Sequence, residues 1–342
     1  MRRRDILAGL AGLGAAAACA APAVAAPEKR AKPFRIYMAL FRGWEECAQG
    51  FKDYFTNQGI PVELIVRDAA QDKSKLPEFV AEAKSLGVDL VFTWGTTVTQ
   101  EMLGTIDSVD PTKHITHIPA VFAIVSQPVG SKMVPNLKSS GRNITGTSYL
   151  VPIETQVNLI QSYRPLNRLG IVYNTLEKNS VGAVDELTEL GKQMNFTISA
   201  VPVDLVDGKP SVTTIPAKVA KVKADGVDFL YIPPDTFLNV NRDILTQAAL
   251  DQKLPTFAAA ENPVLNSMAL FGGVYRYYTV GQLTAYKAEQ ILVHKKAPAD
   301  IPIDPPKRLS LIINMPVVRQ LGFYPPMNLL GLAEINDPDA RP

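Results

Sequence analysis

Pro119-Ala120-Val121-Phe122-Ala123-Ile124-Val125-Ser126-Gln127-Pro128 carries the pattern from which the rest of the chain can be read. Between its two prolines runs an unbroken apolar stretch, Ala120 to Val125, with no polar residue to mark a wet face. A strand with one solvated side alternates apolar and polar residues. A continuous run closed by prolines instead predicts a parallel strand buried on both faces. Parallel neighbours cannot be joined by a tight hairpin and need crossover helices.

Upstream, the sequence supplies both. Strands are predicted at 35–40, 62–66 and 89–94, with helices at about 44–57, 76–86 and 97–105, the first two closed by Gly59 and Gly87. Downstream the alternation begins again. Helices near 153–163, 180–194, 215–223 and 240–252 interleave with strands at 169–173, 197–203, 229–232 and 255–259. A helix at 280–294, a Pro-rich stretch at 298–306, a strand at 309–313 and a helix ending at Gly322 follow. The tail from Pro325 is expected to lie over the surface or fray. Strands alternating with helices of this length mean an α/β fold, and two such series mean two lobes, each a parallel sheet flanked by helices.

Composition agrees with that class. The 342 residues suffice for two cores. Lys+Arg 35 against Asp+Glu 33 gives a net charge of +2, which argues against a nucleic-acid or anionic-membrane surface. Two cysteines exclude a disulfide scaffold. Residues 1–25 read as a signal peptide: a basic head, an apolar run from Ile6 to about Ala21, and an Ala23-Val24-Ala25 cleavage site. Arg3-Arg4 also resembles a twin-arginine signal. Cys19 is a poor lipid-acceptor site, so a periplasmic protein is expected in preference to an anchored one. Cys47, remaining after cleavage, is expected to pack a helix.

In parallel α/β sheets, ligands bind beyond the carboxyl ends of the strands. The residues at those positions are Phe41, Arg42, Gly43 and Trp44; Trp94, Gly95, Thr96 and Thr97; Ser126 and Gln127; Asn174 through Ser180, including Glu177 and Asn179; Pro234, Asp235 and Thr236; and Glu261 with Asn262. Hydroxyls, amides, carboxylates and aromatics in this mixture suit a zwitterionic or carboxylated small molecule with an apolar part. Thr96 and Thr97, opening a helix, can hold a carboxylate with free backbone N–H groups. Asp235, Thr236, Asn179 and Ser180 are equally good helix caps. Glu261 has no obvious capping task.

Enzymatic signatures are missing. No glycine-rich dinucleotide fingerprint follows the first strand, and there is neither a phosphate-binding loop nor a nucleophile elbow. His114 and His117 stand in a loop with no cysteine or acidic cluster beside them, and His294 ends a helix. No cofactor, metal or catalytic residue is expected.

Three stretches resemble a known family. They are His117 to Gly130 followed by Gly141-Arg142-Asn143-Ile144-Thr145-Gly146; Gly170-Ile171-Val172-Tyr173-Asn174 with Glu177, Asn179 and Ser180; and Pro298-Ala299-Asp300-Ile301-Pro302-Ile303. Together they are similar to the ABC-transporter substrate-binding family that includes tryptophan- and tyrosine-type binding proteins. The resemblance implies a two-lobed periplasmic-binding-protein fold (type I) with three hinge crossings. Lobe one would be 34–147 plus 279–297, and lobe two 148–278 plus 298–323, with a tail at 324–342. The first crossing would be 145–152, with Tyr149 facing the cleft. The family usually has Asp where Gln127 stands, and small residues where Trp94-Gly95-Thr96-Thr97 stands, so the cleft should be bulkier and more polar there.

The reading that follows is an exported, monomeric solute-binding protein. It would close over an amino acid or an aromatic or aliphatic carboxylate and deliver it to an ABC permease. Thr96, Thr97 and Ser126 would take a carboxylate, Asp235 and Glu261 an ammonium, and Trp44, Trp94, Tyr149 and Tyr275 would form apolar walls. Phe41, Gln127, Asn174, Glu177, Asn179 and Thr236 complete the candidate set. Alternatives are a sensor module presenting its ligand to a membrane kinase, and an exported α/β enzyme.

Overall fold

A computed structural model describes residues 32–338. The expected signal peptide and Cys19 lie outside the described residues. The first series of elements is β1 (Phe34–Leu40), α1 (Glu46–Gln58), β2 (Val62–Asp68), α2 (Leu76–Leu86), β3 (Leu90–Trp94), α3 (Gly95–Leu103), β4 (Ala120–Val125) and β5 (Ile144–Ser148). The five strands pair in the order β2-β1-β3-β4-β5, all parallel. Every residue of β4 is buried, as its unbroken apolar run requires. Along β1 the two-residue period sends Ile36, Met38 and Leu40 to a core shared with Phe51, Phe55 and Phe92. Tyr37 and Ala39 face the opposite core, with Phe79, Val80 and Met102.

The second series is α4 (Ile153–Tyr163), β6 (Arg168–Tyr173), α5 (Lys178–Met194), β7 (Thr197–Pro202), the short hairpin β8 (Leu205–Val206) and β9 (Lys209–Pro210), α6 (Ile215–Ala224), β10 (Phe229–Ile232), α7 (Thr236–Val240), α8 (Arg242–Asp251), β11 (Thr256–Ala258), α9 (Glu261–Leu265) and β12 (Phe271–Val274). Then come α10 (Tyr277–Leu292), β13 (Ser310–Asn314), α11 (Met315–Leu321), α12 (Met327–Leu330) and β14 (Glu334–Asn336). A seven-stranded sheet forms in the order β14-β13-β12-β11-β10-β6-β7, parallel except for the β12–β13 pair. It too is covered on both faces. One core holds Tyr163, Phe229, Phe257 and Phe271, and the other Val219, Val222, Leu245 and Ile312.

Three expectations need correcting. The helix expected over 240–252 is present as α8, but a short helix, α7, capped by Asp235, precedes it and meets it at Asn241. The segment after Pro325 does not simply trail over the surface. It forms α12 and then β14, which pairs with β13 at the edge of the second sheet. The strand expected at 255–259 is only three residues long, and its end feeds α9 directly.

The chain passes between the sheets at 149–152, 275–276 and 293–309. After the second passage α10 returns to the first sheet and packs on α1 through two glycines. A Cβ on Gly50 would stand 2.1 Å from the Tyr278 carbonyl oxygen, and one on Gly281 2.0 Å from that of Cys47. Cys47 is buried in this contact as a packing thiol, and burial pushes its pKa well up. The third passage is bonded to the end of β5 and to α10, and those two elements to each other. Thr145 Oγ1 donates to the Ile301 carbonyl at 2.8 Å, and Thr284 Oγ1 to Thr147 Oγ1 at 2.8 Å. Lys287 Nζ, almost wholly buried, donates to the carbonyls of Gly146 at 2.8 Å and Pro302 at 2.7 Å and pairs with Asp304. No described helix is long and apolar enough to cross a membrane.

Candidate functional site

The carboxyl ends of the two sheets face a common, nearly closed cleft, lined by Arg42, Trp94 to Thr97, Ile124, Ser126, Tyr149, Glu177, Asn179, Pro234 to Thr236, Asn239, Ala260 and Tyr277.

On the first-lobe wall, β3 ends at Trp94 and α3 begins at once with Gly95, whose φ of 84° makes the sharp turn. No side chain caps α3, so its first N–H groups, among them those of Thr96 and Thr97, stand at the cleft with the positive end of the helix. Arg42, beyond β1, lies 4.5 Å over the Trp94 ring. Its Nε and Nη2 are taken by Glu45 at 2.9 and 3.2 Å. Burial opposes the guanidinium charge, and Glu45 together with Tyr277 and Tyr149 more than offsets it. Ile124 lines the cleft at φ 57°, where the β4–β5 register slips. A β-branched residue holds that conformation only under constraint, and such strain clusters at ligand sites. Ser126 Oγ and Tyr149 Oη are hydrogen-bonded at 3.2 Å, and the Tyr149 ring meets Tyr277 edge-on at 5.7 Å. Burial pushes the Tyr149 phenol up to about 12, so it stays a donor.

The second-lobe wall is acidic. Asp235 caps α7, accepting from the Leu238 N–H at 2.8 Å, and accepts from the Asn174 N–H at 3.2 Å. Glu177 reaches the same helix start, accepting from the N–H groups of Thr236 at 2.8 Å and Phe237 at 3.0 Å. Asp235 is fully enclosed. Burial, and then the Glu177 charge, push its pKa well above the ordinary aspartate range against the pull of those N–H donors. Two carboxylates sharing one small pocket make a place where a cation is stabilised. Asn179 donates its amide to the Pro234 carbonyl, and Asn239 takes a bond from Asn262 at 3.3 Å.

The structure thus gathers Trp94, Thr96, Thr97, Ser126, Tyr149, Glu177, Asn179, Asp235 and Thr236 into one cleft. It does not bring the other candidates to that lining. Glu261 is buried and held by Arg276 at 2.7 Å, so the carboxylate expected to meet an ammonium already has its cation. Burial raises its pKa to about 6. Trp44 is 42% exposed and donates its indole N–H to Gln49 at 3.0 Å. Phe41 and Tyr275 pack against the first-lobe cores. Asn174 is buried behind Asp235. Gln127 stands at the rim and spans the lobes, donating to Glu186 at 2.7 Å. Across the cleft, Asn262 donates to Glu45 at 3.4 Å.

Sequence reasoning left Arg42, Asn239 and Tyr277 out of the candidate set. Arg42 stood in the list of strand-end residues, and only its stacking on Trp94 marks it. Asn239 lies four residues after Asp235, hence on the same helix face, a signal available once α7 was known. Tyr277 opens α10, two residues beyond the chosen Tyr275.

The family described as ABC transporter substrate binding protein matches residues 42–335. A tyrosine-binding protein of Clostridioides difficile (strain R20291) is 26% identical over 276 residues, covering 80% of this chain and 73% of its own. Among solved structures, an ABC domain from Streptococcus pneumonia in complex with L-Trp superposes with a TM-score of 0.74 at 23% identity, over 88% of this chain and 99% of that one. A conserved domain protein from Vibrio cholerae gives a TM-score of 0.77 at 23% identity, over 89% and 99%. Both share the two-lobed periplasmic-binding-protein fold expected from the sequence, and the matching family is one of substrate-binding proteins rather than enzymes. The chain belongs to the ABC transporter substrate-binding protein family.

Proposed function

We propose that this protein captures an α-amino acid between its lobes, outside the cytoplasm, and delivers it to an ABC importer. The observation that carries the reading is the opposite chemistry of the two cleft walls. Donors and a helix N-terminus on one side suit a carboxylate, and the paired Glu177 and Asp235 on the other suit an ammonium. Trp94, Tyr149 and Tyr277 add aromatic surface for a side chain. The names of the tyrosine-binding relative and of the L-Trp complex support aromatic amino acids as the first ligands to try. Ligand contacts to both walls favour the closed arrangement of the lobes, which is how binding drives hinge closure. Export by the N-terminal signal into the periplasm and a monomeric receptor complete the reading.

The test is a thermal-shift and calorimetric screen against the twenty amino acids, each aromatic one accompanied by its des-amino acid and its amine. A ligand at about 100 times its dissociation constant adds about 2.7 kcal/mol of stability. An amino acid that binds at least tenfold tighter than both truncated analogues supports the reading. Equal binding of an amino acid and its des-amino acid removes the ammonium role of Asp235 and Glu177, and turnover of the bound compound replaces the receptor with an enzyme.

A further inference from the structure

Only two tryptophans occur in the chain, and their indole N–H groups are placed in opposite situations. That of Trp44 is bonded to Gln49 at the surface. That of Trp94 is buried and has no hydrogen-bond partner, although Trp94 lines the cleft and is only 4% exposed. A buried donor left unpaired carries the full cost of its lost water, and protein interiors rarely leave one without reason. The same turn of chain holds a second unmet demand. Trp94 is the residue before α3, a nine-residue helix whose N-terminus no side chain caps. Arg42 stacks on the Trp94 ring, holding the indole plane and adding positive potential there, while Glu45 occupies its Nε and Nη2.

We propose that the Trp94 indole N–H is a specificity-determining donor that, with the N-terminus of α3, reads the carboxylate of the bound ligand. The assignment rests on the amino-acid reading of the cleft. It makes Trp94 more than an apolar wall: a ligand without an acceptor at this position leaves the N–H buried and unpaired, and is rejected for that reason. Donor-built sites discriminate against analogues lacking the acceptor far more strongly than apolar pockets discriminate by size. Thr96 and Thr97 would flank the same carboxylate, and Ser126 lies on the same wall.

The experiment is an indole ¹H–¹⁵N titration of the signal-cleaved protein, in which Trp94→Phe assigns the two signals. The probes are L-tyrosine and L-tryptophan, the corresponding amines tyramine and tryptamine, and the corresponding des-amino acids. Carboxylate ligands should move the Trp94 indole proton downfield as it gains a charged acceptor, and leave that of Trp44 in place. The amines should produce no downfield shift. Trp94→Phe keeps the ring under Arg42 and removes only the donor. It should weaken the amino acid about tenfold or more, as loss of a hydrogen bond to a charged group does, and change amine binding less than twofold. An unmoved Trp94 proton in the saturated amino-acid complex overturns the proposal, as does an equal loss of amino acid and amine in the variant. If des-amino acids bind and amino acids do not, the amino-acid reading falls, and the Trp94 shift with those acids still decides the carboxylate assignment. If none of the six probes binds, both fall.

Discussion

The two walls of the cleft are made by one device, loops that follow the carboxyl ends of parallel strands, yet they carry opposite chemistry. On the first lobe the loop after β3 runs directly into an uncapped helix, and the charged side chain on that wall is Arg42. On the second lobe the loops after β6 and β10 bring Glu177 and Asp235 onto one short helix start, and both carboxylates cap it. A helix N-terminus is electropositive in either case. What differs is whether the protein's own carboxylates occupy it. Lobe two fills its N-terminus with its own two carboxyl groups, clustered so that an arriving cation would be stabilised there, whereas lobe one leaves its N-terminus without a side-chain cap. Under the proposed function, a zwitterion would therefore bind in one orientation.

The sharpest way to break this comparison is Asp235→Asn. Asparagine keeps the cap on α7 and removes the carboxyl that can ionise against an ammonium. The expected loss in amino-acid binding is about 2–5 kcal/mol, the range for losing one partner of a buried charge pair, with little change for a des-amino acid. Calorimetry that finds both ligands equally affected would show that the acidic wall does not read an ammonium.

A pH series sharpens the same point. Asp235 has a folded pKa raised above its ordinary value of 3.8, so below that raised value the carboxyl is neutral and cannot pair with an ammonium. Amino-acid affinity should therefore fall on acidification, by up to about tenfold per pH unit, and Asp235→Asn should abolish the dependence. The stability of the ligand-free protein should move the other way. The native state holds this proton where the unfolded chain has released it, so the contribution of Asp235 improves as pH falls through the raised pKa toward 3.8. A melting temperature that declines over that window in the parent, relative to Asp235→Asn, would contradict this sign.

At the rim, Gln127→Glu sets a second carboxylate against Glu186, which Gln127 now bonds at 2.7 Å. Closure should become less favourable, and affinity should fall about tenfold for every ligand alike, because the pair lies outside the ligand-lined space. Glu186→Gln in the same chain should restore it. The smallest expected effect is that of Glu261→Gln. Glu261 is committed to Arg276, so ligand affinity should change less than twofold while thermal stability drops. A large loss of affinity there would move the acidic site away from Asp235.

The legibility of this protein follows distance along the chain. Strands and their crossover helices could be placed from local pattern, since an apolar run such as 120–125 and a helix stop such as Gly59 act within a few residues. The list of strand ends already contained most of the cleft lining, because parallel strands all carry their carboxyl ends to one edge. What misled was charge. Glu261 and Asp235 look alike in sequence, each an acidic residue just past a buried strand. Arg276 neutralises the first from fifteen positions away, whereas the second shares its enclosure with Glu177. Trp44 and Trp94 look equally alike, and one lies on the surface while the other is buried at the cleft with Arg42 over its ring.

By itself, then, the sequence determined the α/β class, the two series of units and the edge at which a ligand would be met, because backbone periodicity and proline or glycine stops are local properties. The tertiary structure alone decided which carboxylate is already paired with a cation, which indole lacks a partner, and that residues 334–336 complete a sheet rather than trail from it. Those depend on partners brought together across tens to hundreds of residues, and burial and electrostatic pairing exist only once the chain has folded.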